Sequence, residues 1–161
     1  MTDLLHDRSA WELTNCSVAN ALDVVGNRVS MLIVREAFLG TTRFDDFATR
    51  VGVSESSAAK RLAELTSAGI LERRPYREPG QRERHEYALT RMGSELRVVL
   101  TALRDWGDRW ASGSAGPPFH AVHRACGEAV HAEIRCRSGH LVPLGGTVLL
   151  PGPSRDTRGA T

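Results

Sequence analysis

Apolar residues recur with helical spacing along the first 110 residues, interrupted by one stretch that alternates. Val18, Ala21, Leu22 and Val25 share one face of a helix over 17–25, and Gly26 stands where a helix stops. The stretch 28–39 is apolar on nearly every side, with Val29, Met31, Leu32, Ile33, Val34, Ala37, Phe38 and Leu39, and predicts a helix at the centre of the fold. Gly40 ends it. Phe44, Phe47, Ala48 and Val51 mark a third helix starting near Arg43. Gly52, Val53 and Ser54 turn the chain into a fourth helix, capped by Ser54, whose buried stripe is Ala58, Leu62 and Leu65. Two short helices joined by a few residues with a glycine have helix-turn-helix spacing.

After Gly69 the period changes. A strand over 70–74, a turn at Pro79-Gly80 among arginines, and a strand over 84–89 predict a β-hairpin; in the second strand His85, Tyr87 and Leu89 alternate with Arg84, Glu86 and Ala88. Thr90 then caps a long helix reaching about Trp110. Its apolar residues Met92, Leu96, Val99, Leu103, Trp106 and Trp110 are spaced four, three, four, three, four, a heptad seam that needs a partner surface. The fold class is therefore mainly α with a small β-wing: a winged helix-turn-helix, dimerising through its terminal helices.

The chain divides into an N-terminal arm or short helix (1–15), a winged helix-turn-helix domain (16–111) to which the DNA-binding and dimerisation expectations below attach, a linker (112–118), a small Cys/His-containing extension (119–150) and a disordered tail (151–161). At 161 residues, 25% of them charged, there is room for one proper core. A net charge of +2 does not separate an enzyme from a nucleic-acid binder, so placement of the basic residues has to decide. No apolar run approaches the ~18 residues of a membrane helix, and the N-terminus lacks a signal-peptide core, which points to the cytoplasm. Three cysteines fit a reducing compartment better than a disulfide framework.

Ser56, Ser57, Lys60 and Arg61 lie on or beside the face opposite the buried stripe, in the half of the helix that such domains insert into the major groove. The bland alternative is a solvated helix face, with Arg61 paired to Glu64. Arg77, Arg82 and Arg84 surround the hairpin turn and suit phosphate or minor-groove contact, although Glu78, Glu83 and Glu86 dilute their field. Arg28 and Arg43, near helix starts, are candidates for backbone phosphates. Cys16 directly precedes a helix, where unpaired N–H groups stabilise an anion, so it is a candidate for reaction with oxidants; otherwise it is a small apolar residue. Cys126, His131, Cys136 and His140 supply two thiolates and two imidazoles, a tetrahedral zinc set in a segment short enough to need a staple. Their spacing matches no standard finger, and the other reading is a hairpin packed through Phe119, Val122, Val130 and Ile134. No other cofactor is expected.

Cys16, Ala21-Leu-Asp-Val-Val-Gly26, Leu32-Ile-Val-Arg-Glu36, Arg43-Phe44, Arg61-Leu62 with Leu65 and Gly69, Glu86-Tyr87, Leu89-Thr90, Gly93, and Leu103-Arg-Asp-Trp-Gly107 follow one another in order. Together they resemble the HxlR family of bacterial winged-helix transcription regulators, relatives of the MarR group. The resemblance spans roughly 16–110 and implies a homodimer whose recognition helices enter successive major grooves of a pseudo-palindromic operator. It also places Cys16 where some members carry a redox-sensing cysteine. The chain departs from the family at Ser17, where proline is usual, and at Val29, where tryptophan is usual.

These observations predict a sequence-specific DNA-binding transcriptional regulator, a repressor, controlled by a small-molecule effector or by thiol oxidation. Its partners are then double-stranded DNA and a second copy, with no membrane. The alternatives are a winged-helix module for protein or RNA, and an enzyme using Cys126 or Cys136 with a histidine. No nucleophile elbow, phosphate loop or paired-carboxylate motif accompanies those cysteines, so no catalysis is expected.

Overall fold

Ile33, Val34, Phe47, Leu62 and Leu65 are sealed from solvent and form one cluster with Val25, Val51, Ile70 and Leu71. A computed structural model describes residues 16–77, 80, 82–114, 116–117 and 119–149 of the chain. The expected arm over 1–15, Glu78 and Pro79 of the hairpin turn, and the tail over 151–161 lie outside the described residues. The elements are α1 (Ser17–Val25), α2 (Arg28–Phe38), α3 (Phe44–Val51), α4 (Glu55–Ser67), β1 (Leu71–Tyr76), β2 (Arg84–Leu89), α5 (Arg91–Glu95) and α6 (Arg97–Trp110). The expected winged helix-turn-helix is observed: mostly helical, with a two-stranded antiparallel wing.

Local chemistry sets the helix boundaries. The Asn27 side chain accepts the N–H groups of Val29 (2.9 Å) and Ser30 (3.4 Å) and starts α2. Gly52, at φ +72°, ends α3 in the left-handed region and lets the Val53 N–H reach back to Ala48 O at 3.1 Å. Ser54 Oγ then accepts the Ser57 N–H (3.3 Å) and starts α4. α2 packs on both α3 and α4, which fixes the helix-turn-helix against it. Glu36 of α2, buried, takes two hydrogen bonds from Arg35 and one from Thr41, closing the link into α3.

The wing is tied down at its base. Leu71 faces Leu89 and Tyr76 faces Arg84 in the ladder, and the Tyr87 N–H donates to Thr42 O (2.8 Å) in the α2–α3 connection. Thr90 ties the junction together: its hydroxyl donates to Gly69 O (2.6 Å) and accepts the Gly93 N–H (3.0 Å), while its own N–H donates to Ile70 O (3.1 Å). Gly93 is pressed so closely on that strand entrance that a Cβ there would stand 2.1 Å from Ile70 O.

One expectation needs correcting. The long helix from Thr90 to Trp110 is two helices, because at Leu96 ψ opens to −9° and the Leu96 N–H bonds Gly93 O, three residues back, at 3.1 Å. Such a tightened turn re-aims the chain. Here it turns Leu96 and Leu100 onto the core while Met92, Val99, Leu103, Trp106 and Trp110 stay 45–70% exposed. Val18 and Leu22 of α1 are exposed as well.

The described residues fall into two compact units, Ser17–Ala132 and a second that holds Cys16 and 133–149. The 119–150 extension is thus shared between them. In the first unit, 119–132 docks on α6: Arg104 donates to Val130 O (2.6 Å), and Asp105 accepts the Ala132 N–H (2.6 Å). In the second, Arg135 and Leu141 form an isolated antiparallel bridge. Among the described residues no single helix is long and apolar enough to cross a membrane.

Gly93→Ala should lower stability by about 1–3 kcal/mol, because the added methyl meets backbone that cannot swing away. Gly107→Ala in α6, where a Cβ meets open space, should instead stabilise by up to about 1 kcal/mol. Thermal unfolding followed by circular dichroism separates the two; equal shifts would mean the close approach to Ile70 O is absent.

Candidate nucleic-acid interface

The N-terminal half of α4 presents Ser56 and Lys60 to solvent, with Ser57 half-buried beneath them. Ser56 Oγ lies 3.1 Å from the capping Ser54 Oγ, so the two hydroxyls sit together at the helix start. Small side chains here leave room for a DNA backbone or base edge to approach, and Lys60 one turn on adds a cation. Arg61 is engaged otherwise. Its Nη1 is 2.6 Å from Glu64 Oε2, and its side chain is 27% exposed. That pairing satisfies the guanidinium within α4 and reduces what it offers to DNA.

On the wing, Arg77, Arg82 and Arg84 are all exposed near the turn. Arg43 does something the sequence did not suggest: its guanidinium carbon stands 3.4 Å from the centre of the Tyr76 ring, a cation–π contact from the start of α3 to the end of β1. Tyr76 faces Arg84 across the ladder, so Arg43, Tyr76 and Arg84 form one cluster that joins helix-turn-helix to wing. Two further basic residues that no sequence pattern singles out are Arg50 in the last turn of α3 and Arg73 in β1, both exposed. Arg73 lies across from Tyr87 in the hairpin, and only the ladder register reveals that position.

The proposed zinc ligands divide between the two units, Cys126 and His131 in one and Cys136 and His140 in the other. Among the described residues no group of three or more His, Cys, Asp or Glu side chains converges as a metal site. Cys126 instead has His123 Nδ1 at 3.1 Å from its sulfur, in a tight turn closed by the Gly127 N–H on His123 O (2.8 Å). Gly127 takes φ +77° there. Cys16 is half-buried immediately before α1.

At the base of the extension, Asp105 has its carboxyl held below the ordinary value of 3.8, first by the Ala132 N–H and then by the Arg104 guanidinium, against the opposing effect of burial. Its folded value being the lower one, the stabilisation is fully present above about pH 3.8 and is lost as pH falls through the folded value.

A helix-turn-helix with small and basic residues at the start of its second helix, flanked by an arginine-bearing hairpin, defines a winged-helix DNA-binding protein. Residues 24–115 match the HxlR-like helix-turn-helix family, and the chain belongs to that family. An uncharacterized HTH-type transcriptional regulator of Mycobacterium tuberculosis is 36% identical over 138 residues, covering 85% of this chain and 86% of its own. The crystal structure of PA1607, described as a candidate transcription factor, superposes with a TM-score of 0.78 at 32% identity, covering 88% of this chain and 98% of that one. HypR, named a redox regulator, matches in its oxidized form with a TM-score of 0.53 at 26% identity, covering 58% of this chain and 96% of its own.

Asp105→Ala should release 119–132 from α6 at a cost of about 1 kcal/mol, the pair being only partly shielded from water. Hydrogen exchange at the Ala132 amide reads this directly: its protection relative to a free amide at the same pH should fall in the variant at neutral pH, and in the parent chain only on acidification below about 3.8. An amide that exchanges alike in both would contradict the assignment.

Proposed function

We propose that this helix-turn-helix regulator is a cytoplasmic homodimer that reads a pseudo-palindromic operator and represses transcription by occupying it. The observation that carries the reading is a juxtaposition. One short run of chain supplies an exposed, small and basic helix face and a basic wing, and the next helix leaves Val99, Leu103, Trp106 and Trp110 uncovered. A seam of that size in water favours association with a second copy, and the exposed apolar face of α1 lies within the same unit. In this reading Ser56, Ser57 and Lys60 meet the major groove, and Arg77, Arg82 and Arg84 meet phosphate or the minor groove. Arg43 braces the wing through Tyr76 and is a candidate for the DNA backbone, while Arg61 serves mainly within α4.

Thiol oxidation is the form of control that the likeness to HypR supports, with Cys16 as the candidate thiol. Diamide should alter duplex affinity in the parent chain and leave Cys16→Ser unaffected. An equal response in both would move the switch elsewhere.

Duplex binding itself is tested by fluorescence anisotropy against fragments enriched from genomic DNA. If the two copies together neutralise roughly 6–10 phosphates, affinity falls by about 10³–10⁵ between 50 and 200 mM salt. Lys60→Ala should weaken binding and reduce the slope of log K against log salt by roughly 1 for each phosphate no longer neutralised. No binding at low salt, or a Lys60→Ala chain that titrates like the parent, would remove this residue set from the interface.

A further inference from the structure

α2 is apolar on both of its sides, and its half-buried residues pack on the core while also bordering open space. Ile33 and Val34 are sealed in the core, whereas Met31, Leu32 and Phe38 are half-buried and Leu39 is 65% exposed. Together with Leu100 and Leu103 of α6 and Phe119 of the docked segment, these residues wall a cavity of about 930 Å³. That volume lies within the range of roughly 300–1,000 Å³ in which small-molecule sites fall.

The charge around this cavity is one-sided. Arg28, Arg35, Arg97 and Arg104 line it, and among the described residues no carboxylate does. Two of these cations are already satisfied, Arg35 by Glu36 at 2.7 Å and Arg104 by Asp105 at 2.8 Å. Arg28 and Arg97 have no side-chain partner among the described residues. An apolar hollow with unpaired guanidinium groups is complementary to an amphipathic anion, and guanidinium matches carboxylate in a two-point hydrogen-bonded fork.

We infer that the cavity binds an apolar monocarboxylate, its hydrocarbon body against α2, α6 and Phe119, with Arg28 and Arg97 supplying the counter-charge. A second copy of the chain is the poorer occupant. Leu103 belongs both to this lining and to the exposed seam of α6, so a copy seated on the seam borders the cavity, but it leaves Arg28 and Arg97 without an acid from the lining, whereas an anion supplies one. A ligand lodged between α2 and α6 bears on the helix that carries both α3 and α4, so occupancy should shift duplex affinity. That last step rests on the DNA-binding reading above; the binding step does not.

Calorimetry on the full chain, without DNA, uses three probes matched in size and differing in charge: phenylbutyrate, phenylbutanol and phenylbutylamine. Phenylbutyrate should bind once per chain, at least about tenfold tighter than the alcohol, and the amine should not bind. Arg97→Gln, at an exposed position, should weaken phenylbutyrate about tenfold and leave the alcohol unchanged. Met31→Trp, which fills the hollow, should weaken both. Absence of phenylbutyrate binding at millimolar concentration, equal affinity for the alcohol, or an Arg97→Gln chain that binds as before overturns the inference. So does binding that appears only after Trp106→Glu makes the chain monomeric, which gives the cavity to the second copy. Duplex titrations with and without phenylbutyrate keep the two readings apart: absent ligand binding with duplex affinity intact removes the cavity alone, and ligand binding without any duplex affinity removes the operator alone.

Discussion

The Ile70 carbonyl, reached by the Thr90 N–H on one side and by the bare Cα of Gly93 on the other, is where three parts of the molecule are fastened together. α4 ends just before it, the wing begins just after it, and the terminal helices start from the Thr90 cap. A side chain at position 93 would push the helices off, and loss of the Thr90 hydroxyl would free both the Gly69 carbonyl and the Gly93 N–H. Because the junction is made of backbone at near contact, the recognition helix cannot tilt without moving α5. The Tyr87 to Thr42 bond repeats the constraint on the far side of the wing, tying it to the α2–α3 connection.

In the DNA-binding reading proposed above, that fastening lets the candidate contacts stand on separate elements. Lys60 projects from α4, Arg77 and Arg82 from the wing, and each needs a fixed frame more than it needs a neighbour. Arg43 and Tyr76 add to the frame at the outer end of the hairpin, beyond what its own ladder supplies. α2 works in two directions. One side closes the core beneath α3 and α4, and the other faces a hollow shared with α6, so the helix that sets the DNA-reading geometry is also the one a bound molecule would press upon.

Most of the fold was legible in the sequence because burial and periodicity coincide there. Phe47, Val51, Leu62 and Leu65 recur at helical spacing and are the residues sealed from water, and Gly52 and Ser54 announce the turn between their helices by backbone freedom and by capping. Periodicity misled at Leu96. Spacing of four and three counts apolar positions but carries no record of the carbonyl that Gly93 must meet, so one helix was expected where two occur. Arg61 was better served from the polar side, since its spacing to Glu64 already offered the pair that the structure forms as the alternative to DNA contact. The shared role of the cavity arginines was illegible for a plainer reason: Arg28 reads as a backbone-phosphate candidate and Arg97 as any solvated helix residue until the fold brings α2 and α6 around one space. The pairing of His123 with Cys126 likewise depends on a turn conformation, and choosing ligands by residue type passed over it.

Selection of bound duplexes from a random pool by the full chain tests the paired, DNA-reading arrangement most directly. Two recognition helices held at one spacing should recover a short element repeated about a two-fold axis, with half-site centres about 34–36 Å apart, one turn of B-DNA, or a multiple of it. A pool without enrichment, or one enriched in single elements at no fixed spacing, would contradict it.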